Sequence, residues 1–235
     1  MEHINFDNIA VWEVGEKVRD AYMGLKNKDI DYAVEAYSYE QMKDYILYGL
    51  NGKIFVEKPE FVTIRALVNG YTVDYVLCRK DGTYSDGRHP DEVWAGTILD
   101  DLARRDFTMN AMAIHTETGE LFDPYNGKKD IDDRIIRCVG NTEYRMGEDA
   151  LRLLRAVRFS ITKTMSIHRD ILRMFSEPEW MDKLANVSQD RIQDEVYKMF
   201  SFDTKKSISF FGVFPMFAEA CFSNGMWLEP THKEK

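Results

Sequence analysis

Apolar and polar positions follow two rhythms along this chain. Up to about residue 140 they alternate in short runs bounded by turn signals, and from about Gly147 they recur at helical spacing. In KNKDIDYA, residues 26 to 33, strand alternation puts Asp29 and Asp31 on one face and Ile30 on the other. Residues 15 to 25 (GEKVRDAYMGL) read as a short helix after a glycine turn. Ser38 with Gln41 reads as a capping box for a helix reaching about Leu50, with Met42, Ile46 and Leu50 on one side. FVTIRALV and YTVDYVLC flank Asn69-Gly70, a dipeptide suited to a two-residue hairpin turn with positive φ at both positions. The second of these strands carries Asp74, an acidic residue among Val, Tyr, Leu and Cys that calls for a metal or a satisfied partner.

KDGTYSDGRHPDEV (80–93) and FDPYNGKKDIDDR read as loops from their turn-forming residues, the second leading into a strand-like IIRCV. EDALRLLRAVRF, HRDILRMF and DRIQDEVYKMF read as helices. The order is an α/β head, a small mixed sheet with helices, followed by an all-helical part, with the boundary near residue 140.

Composition narrows the class. With 235 residues, 44% of them hydrophobic, the chain can bury a core as one large domain or two small ones. A net charge of −9 argues against a nonspecific nucleic-acid binder, so any RNA face has to be local. The best candidate is residues 151 to 173, with six Lys or Arg against one Asp. Cys78, Cys138 and Cys221 are widely spaced and odd in number, which suggests neither a disulfide framework nor a zinc site and fits a reducing cytoplasm. The first residues are too acidic and too weakly apolar for a signal or transit peptide. The longest uncharged stretch, Ser207 to Ala218, is too short to span a bilayer and contains Pro215, so no membrane segment is expected. His89, His115 and His168 lack ligand-like spacing and read as structural.

The candidate chemistry lies in a set of residues. Asp29 and Asp31 share a face and repel; Mg²⁺ is the usual cation for an oxygen-only pair, and a solvated strand edge is the plain alternative. Gly15 precedes a helix whose first N–H groups can receive a phosphate. RRDFTMNA (104–111) and EDALRLLR (148–155) add arginines that reach anionic oxygens. A nucleoside triphosphate with a divalent metal is the simplest ligand that uses all of them.

Seven segments in order, over about residues 14 to 200, resemble one family: VGEKVRD, KDIDYAV, YSDGRHPDEV, RRDFTMNA, DPYNGKKDIDDRIIRCV, EDALRLLRAVRF and SQDRIQDEVYKMF. The chain is similar to the class II tRNA nucleotidyltransferases, the CCA-adding enzymes, and to their relatives the bacterial poly(A) polymerases, within the polymerase β superfamily. The resemblance implies a catalytic head over 1–140, a helical neck over 141–200 and a short cap over 201–235. It implies template-independent addition of CMP and AMP from CTP and ATP to an RNA 3′ end, with the tRNA acceptor end as partner. The near alternatives are a poly(A) polymerase or an A-only enzyme. A degenerate module that binds nucleotide or RNA without catalysis is the alternative from another class.

By the same resemblance, Asp29 and Asp31 would hold two Mg²⁺ ions, with Asp74 as a third catalytic carboxylate. Gly15 and Arg19 belong to the triphosphate turn, Asp106 with Arg105 or Asn110 would contact the ribose, and Arg155 and Arg158 would face phosphates. Asp149 and Arg152, three apart on one helix, would read the base. A carboxylate accepts and a guanidinium donates, which matches the amino-donor and ring-nitrogen-acceptor edges of C and A and refuses G and U. The plain alternative for that pair is a surface ion pair of little energetic weight. Glu16 stands where the family pattern has a second glycine. A carboxylate held ~5 Å from a phosphate costs about 3 kcal/mol at an effective dielectric of ~20, unless it turns to solvent or pairs with Lys17.

Overall fold

The structure, a computed structural model, describes residues 6, 8–26, 30–82, 92–222 and 225. Asp29 and most of the segment read as the 80–93 loop lie outside the described residues. The chain divides into two compact units: Met1–Asp133 with Cys138–Gly140, and Arg134–Arg137 with Asn141–Lys235.

The first unit is built on a seven-stranded mixed sheet. Its strands are β1 (Ala10–Val14), β2 (Asp31–Glu35), β3 (Lys53–Lys58), β4 (Thr63–Val68), β5 (Tyr71–Leu77), β8 (Ala113–His115) and β9 (Leu121–Phe122), in the order β3-β4-β5-β2-β1-β8-β9. Only the β2–β5 pairing is parallel. A separate ribbon pairs β6 (Arg79–Asp81) with β7 (Val93–Ala95) at the two ends of the segment read as a loop. The Asn69-Gly70 hairpin forms with both residues at positive φ, 52° and 83°, and Val68 faces Tyr71 across the turn.

Strand alternation divides the core between the two sheet faces. Val34, Ile64, Ala66, Val73, Tyr75 and Leu77 cover one face together with Met42 and Ile46 from the helix after β2. That helix, α2 (Tyr39–Asp44), is capped by Ser38 accepting from the Gln41 amide and widens into a π turn at Tyr45–Gly49. The reciprocal half of the expected capping box is displaced by one residue, because the Gln41 side chain accepts from the Tyr37 amide. On the other face, Val14 and Ala33 pack with Ile98 and Leu102 of α3 (Ile98–Ala103). FDPYNGKKDIDDR is not a plain loop: β9 runs into it, and α4 (Gly127–Asp132) follows with Asp123 accepting from the Gly127 and Lys128 amides. Composition hid this helix because its capping residues are also turn residues.

The second unit contains α5 (Thr142–Glu148), α6 (Leu151–Lys163), α7 (Arg169–Leu172), α8 (Pro178–Ala185), α9 (Gln189–Val213) and α10 (Pro215–Phe222). A two-stranded parallel pair joins β10 (Ile135–Ile136) to β11 (Ser166–Ile167). Phe175, Phe210, Phe211, Phe214 and Phe217 form an aromatic cluster at the C-terminal end of the described helices. α9 breaks at Asp203 (φ −150°, ψ 91°), whose Oδ1 accepts from the Lys206 amide at 2.9 Å, so Asp203 caps the second half of the helix. D203A is expected to lower stability by about 1 kcal/mol in urea unfolding, the usual cost of a lost N-cap.

Candidate active site

The first element of the site is a row of charged residues across the sheet. Asp31 at the start of β2 is the Cα partner of Asp74 on β5, and Asp74 is the partner of Arg65 on β4. Partners across a sheet share a face, so Asp31, Asp74 and Arg65 stand side by side. Arg65 donates to both oxygens of Asp74, at 2.6 and 2.5 Å. Val14 pairs with Asp31 across β1 and β2, and Gly15 follows it with φ 80° and ψ −145°. This conformation is essentially restricted to glycine. A Cβ on Gly15 would come within 3.1 Å of Asp31 Oδ2, so the glycine keeps open the space beside that carboxylate.

The helix after Gly15, α1 (Glu16–Tyr22), turns Glu16 outward, with a side chain 55% exposed and 3.6 Å from Arg19. Lys17 pairs with Glu13 instead. Arg19 is buried: its Nη1 donates to Asn110 Oδ1 at 2.8 Å and its Nε to Asp20 at 2.8 Å. Asn110 Nδ2 in turn donates to Asp106 Oδ1 at 2.9 Å, which also accepts from the Phe107 amide. The helix after Gly15 and the RRDFTMNA segment are thus joined by one hydrogen-bonded chain, Arg19–Asn110–Asp106.

Arg105 is aimed by a residue that the motif reading missed. Asp101 on α3 is 1% exposed and accepts from Arg104 (Nη2, 2.5 Å) and from Arg105 (Nη2, 3.0 Å). Arg105 Nη1 also donates to the Asn110 carbonyl at 3.1 Å. Burial pushes the Asp101 carboxyl up, but the two guanidiniums outweigh it and hold the group below its ordinary value. The signal was present in the spacing, since Asp101 lies three and four residues before the arginines.

In the second unit the expected helix-face pair does not form. Asp149 is extended (φ −157°, ψ 102°) at the junction of α5 and α6, where its own Oδ1 accepts from the Leu151 amide. It therefore lies outside the helix that carries Arg152. Asp149 accepts from Arg191 at 2.7 Å, and Arg152 donates to Glu148 at 2.6 Å and to the Arg145 carbonyl at 2.5 Å. Arg155 and Arg158 both donate to Glu195 of α9, which is 3% exposed, and Arg158 also stacks 3.9 Å from the Phe159 ring centre. Arg173 pairs with Glu143. The basic stretch from 151 to 173 is therefore partly neutralised by carboxylates that lie outside it in sequence.

The donor set at Asp31 and Asp74 is oxygen-only and suits a hard divalent cation. Among the described residues, no cluster of three or more His, Cys, Asp or Glu is gathered as for a metal. No helix among them is long and apolar enough to cross a membrane.

A mixed sheet that sets paired carboxylates beside a glycine turn, followed by a helical unit, is the head-and-neck architecture of a nucleotidyltransferase. Residues 11–137 match the model of the poly A polymerase head domain, and the chain belongs to that family. The CCA-adding enzyme of Enterococcus faecalis is 34% identical over 200 residues, covering 85% of this chain and 47% of that enzyme. The Bacillus stearothermophilus CCA-adding enzyme in complex with CTP aligns with a TM-score of 0.74 at 28% identity, covering 92% of this chain and 50% of the other. The Thermotoga maritima CCA-adding enzyme complexed with tRNA aligns at 0.73 and 28%, covering 94% and 50%. This chain spans about half the length of the curated relatives it matches.

Proposed function

We infer that the chain is a template-independent RNA nucleotidyltransferase that adds CMP and AMP from CTP and ATP to an RNA 3′ end, building or repairing the CCA terminus of tRNA. The observation that carries this reading is the register of Asp31 against Asp74, with Gly15 leaving room beside Asp31. Asp31, with Asp74 beside it, and Asp29 from the sequence motif are the residues that would hold Mg²⁺. Bound there, the metal supplies acidity to the RNA 3′-hydroxyl and neutralises charge on the departing pyrophosphate.

The chain's own residues do the rest. The Gly15 turn admits phosphate oxygens next to Asp31, where a side chain would crowd them. Asp106 and Asn110, fixed through Arg19, present a carboxylate and an amide to a ribose. Asp149 accepts from the amino group of cytosine or adenine, and Arg152 donates to the neighbouring ring nitrogen. Each of these two is held by a partner, Arg191 for Asp149 and Glu148 for Arg152, rather than by the other. Arg155 and Arg158, held by Glu195, meet phosphates.

The test is extension of tRNA transcripts ending before CCA, after C and after CC, with each nucleotide supplied singly and together with Mg²⁺. Addition of C, C and A that then stops is the expected product. A single A on the CC-ended RNA alone would make the chain an A-adding specialist, and unlimited A a poly(A) polymerase. No extension of any RNA would favour a noncatalytic module.

A further inference from the structure

Arg65 belongs to none of the segments that carry the family resemblance, yet it stands in the carboxylate row. Its guanidinium takes both oxygens of Asp74, and Asp31 is the next residue along the same face. The pair is not locked by burial: the Arg65 side chain is 51% exposed and that of Asp74 25%. Ion pairs this exposed are weak and readily exchanged. A bidentate guanidinium and a divalent cation seek the same carboxylate oxygens, and their like charges repel when they share it.

On the metal reading given above, we propose that Arg65 is a built-in competitor for the cation at Asp74, so that this guanidinium sets the divalent-ion affinity of the head. The Arg65 fork gives up Asp74 as the ion binds. The protein thus holds its third carboxylate in a neutralised pair and avoids leaving adjacent carboxylates to repel one another.

The probe is Mn²⁺ added to the full chain, with free ion read by electron paramagnetic resonance and no nucleotide or RNA present. D31N identifies the site by weakening Mn²⁺ binding. R65Q is expected to tighten binding at that site by about fivefold, the upper range for an exposed pair. The gain should vanish in the D74N background, where no carboxylate remains to be released. If R65Q folds poorly, R65K, which keeps the charge but lacks the fork, should tighten binding by a smaller factor. Unchanged Mn²⁺ affinity in both Arg65 variants overturns the inference, as does an equal gain with and without D74N, which would make the effect one of field alone. Parent protein with no D31N-sensitive Mn²⁺ binding overturns the metal reading, and the inference with it.

Discussion

D31N is expected to lower kcat/KM for nucleotide addition by about 10³-fold, a loss equivalent to several kcal/mol of transition-state stabilisation by a bound metal. The substitution keeps the shape of the side chain and removes one charge from a row in which Asp31 and Asp74 are neighbours. Folding should tolerate it, because the carboxylate is only partly buried and the row loses a repulsion. Primer-extension rates for parent and D31N at saturating Mg²⁺, with thermal melts of both, separate the two effects. A D31N protein that melts like the parent and extends RNA within tenfold of its rate would remove Asp31 from the chemistry. RNA affinity measured without nucleotide should change little, since the proposed RNA contacts lie with other residues. Equal RNA binding in parent and D31N, with extension absent from both, would favour the noncatalytic reading.

The parts of the fold that could be read from the sequence were those fixed by local rules. Asn69-Gly70 demanded a tight turn, and the alternation through β4 and β5 then settled which side chains faced the core. In that register Asp74 lies on the face opposite Val73 and Tyr75. What escaped the sequence depended on pairings between elements. Arg65 looks like any exposed strand residue until β4 sets it against Asp74. Glu195 lies 37 residues beyond Arg158, so helix spacing cannot connect them; only the packing of α6 on α9 does. Asp149 stands off the α6 face that carries Arg152 for a local reason. An Asp can hydrogen-bond the amide two residues on, and this side chain uses that bond to cap the start of α6 rather than joining its face.

D101N is expected to destabilise the head by about 3 kcal/mol at pH 7, measured as a shift of its chemical unfolding transition. The carboxylate is 1% exposed and neutralises two guanidiniums at once, so the amide would leave Arg104 and Arg105 facing a neutral group in a half-buried setting. Their remaining exposure, 25% and 19% of the side chains, lets water recover part of the cost, which is why the lower end of the range for broken buried pairs applies. The pH dependence gives an independent check on the cause. Desolvation alone would raise the Asp101 carboxyl, but the two arginines bring it below its ordinary value of 3.8. A group whose folded pKa is depressed contributes stability above its unfolded value and loses it as pH falls through the folded one. The parent should therefore lose the Asp101 contribution progressively below about pH 4, the ordinary range of an aspartate. D101N should lack that component, so the stability difference between the two proteins narrows as the solution is acidified. A difference that stayed constant from neutral pH down to pH 2 would show that Asp101 acts through shape and not charge. Arg105 would then owe its aim to the Asn110 carbonyl.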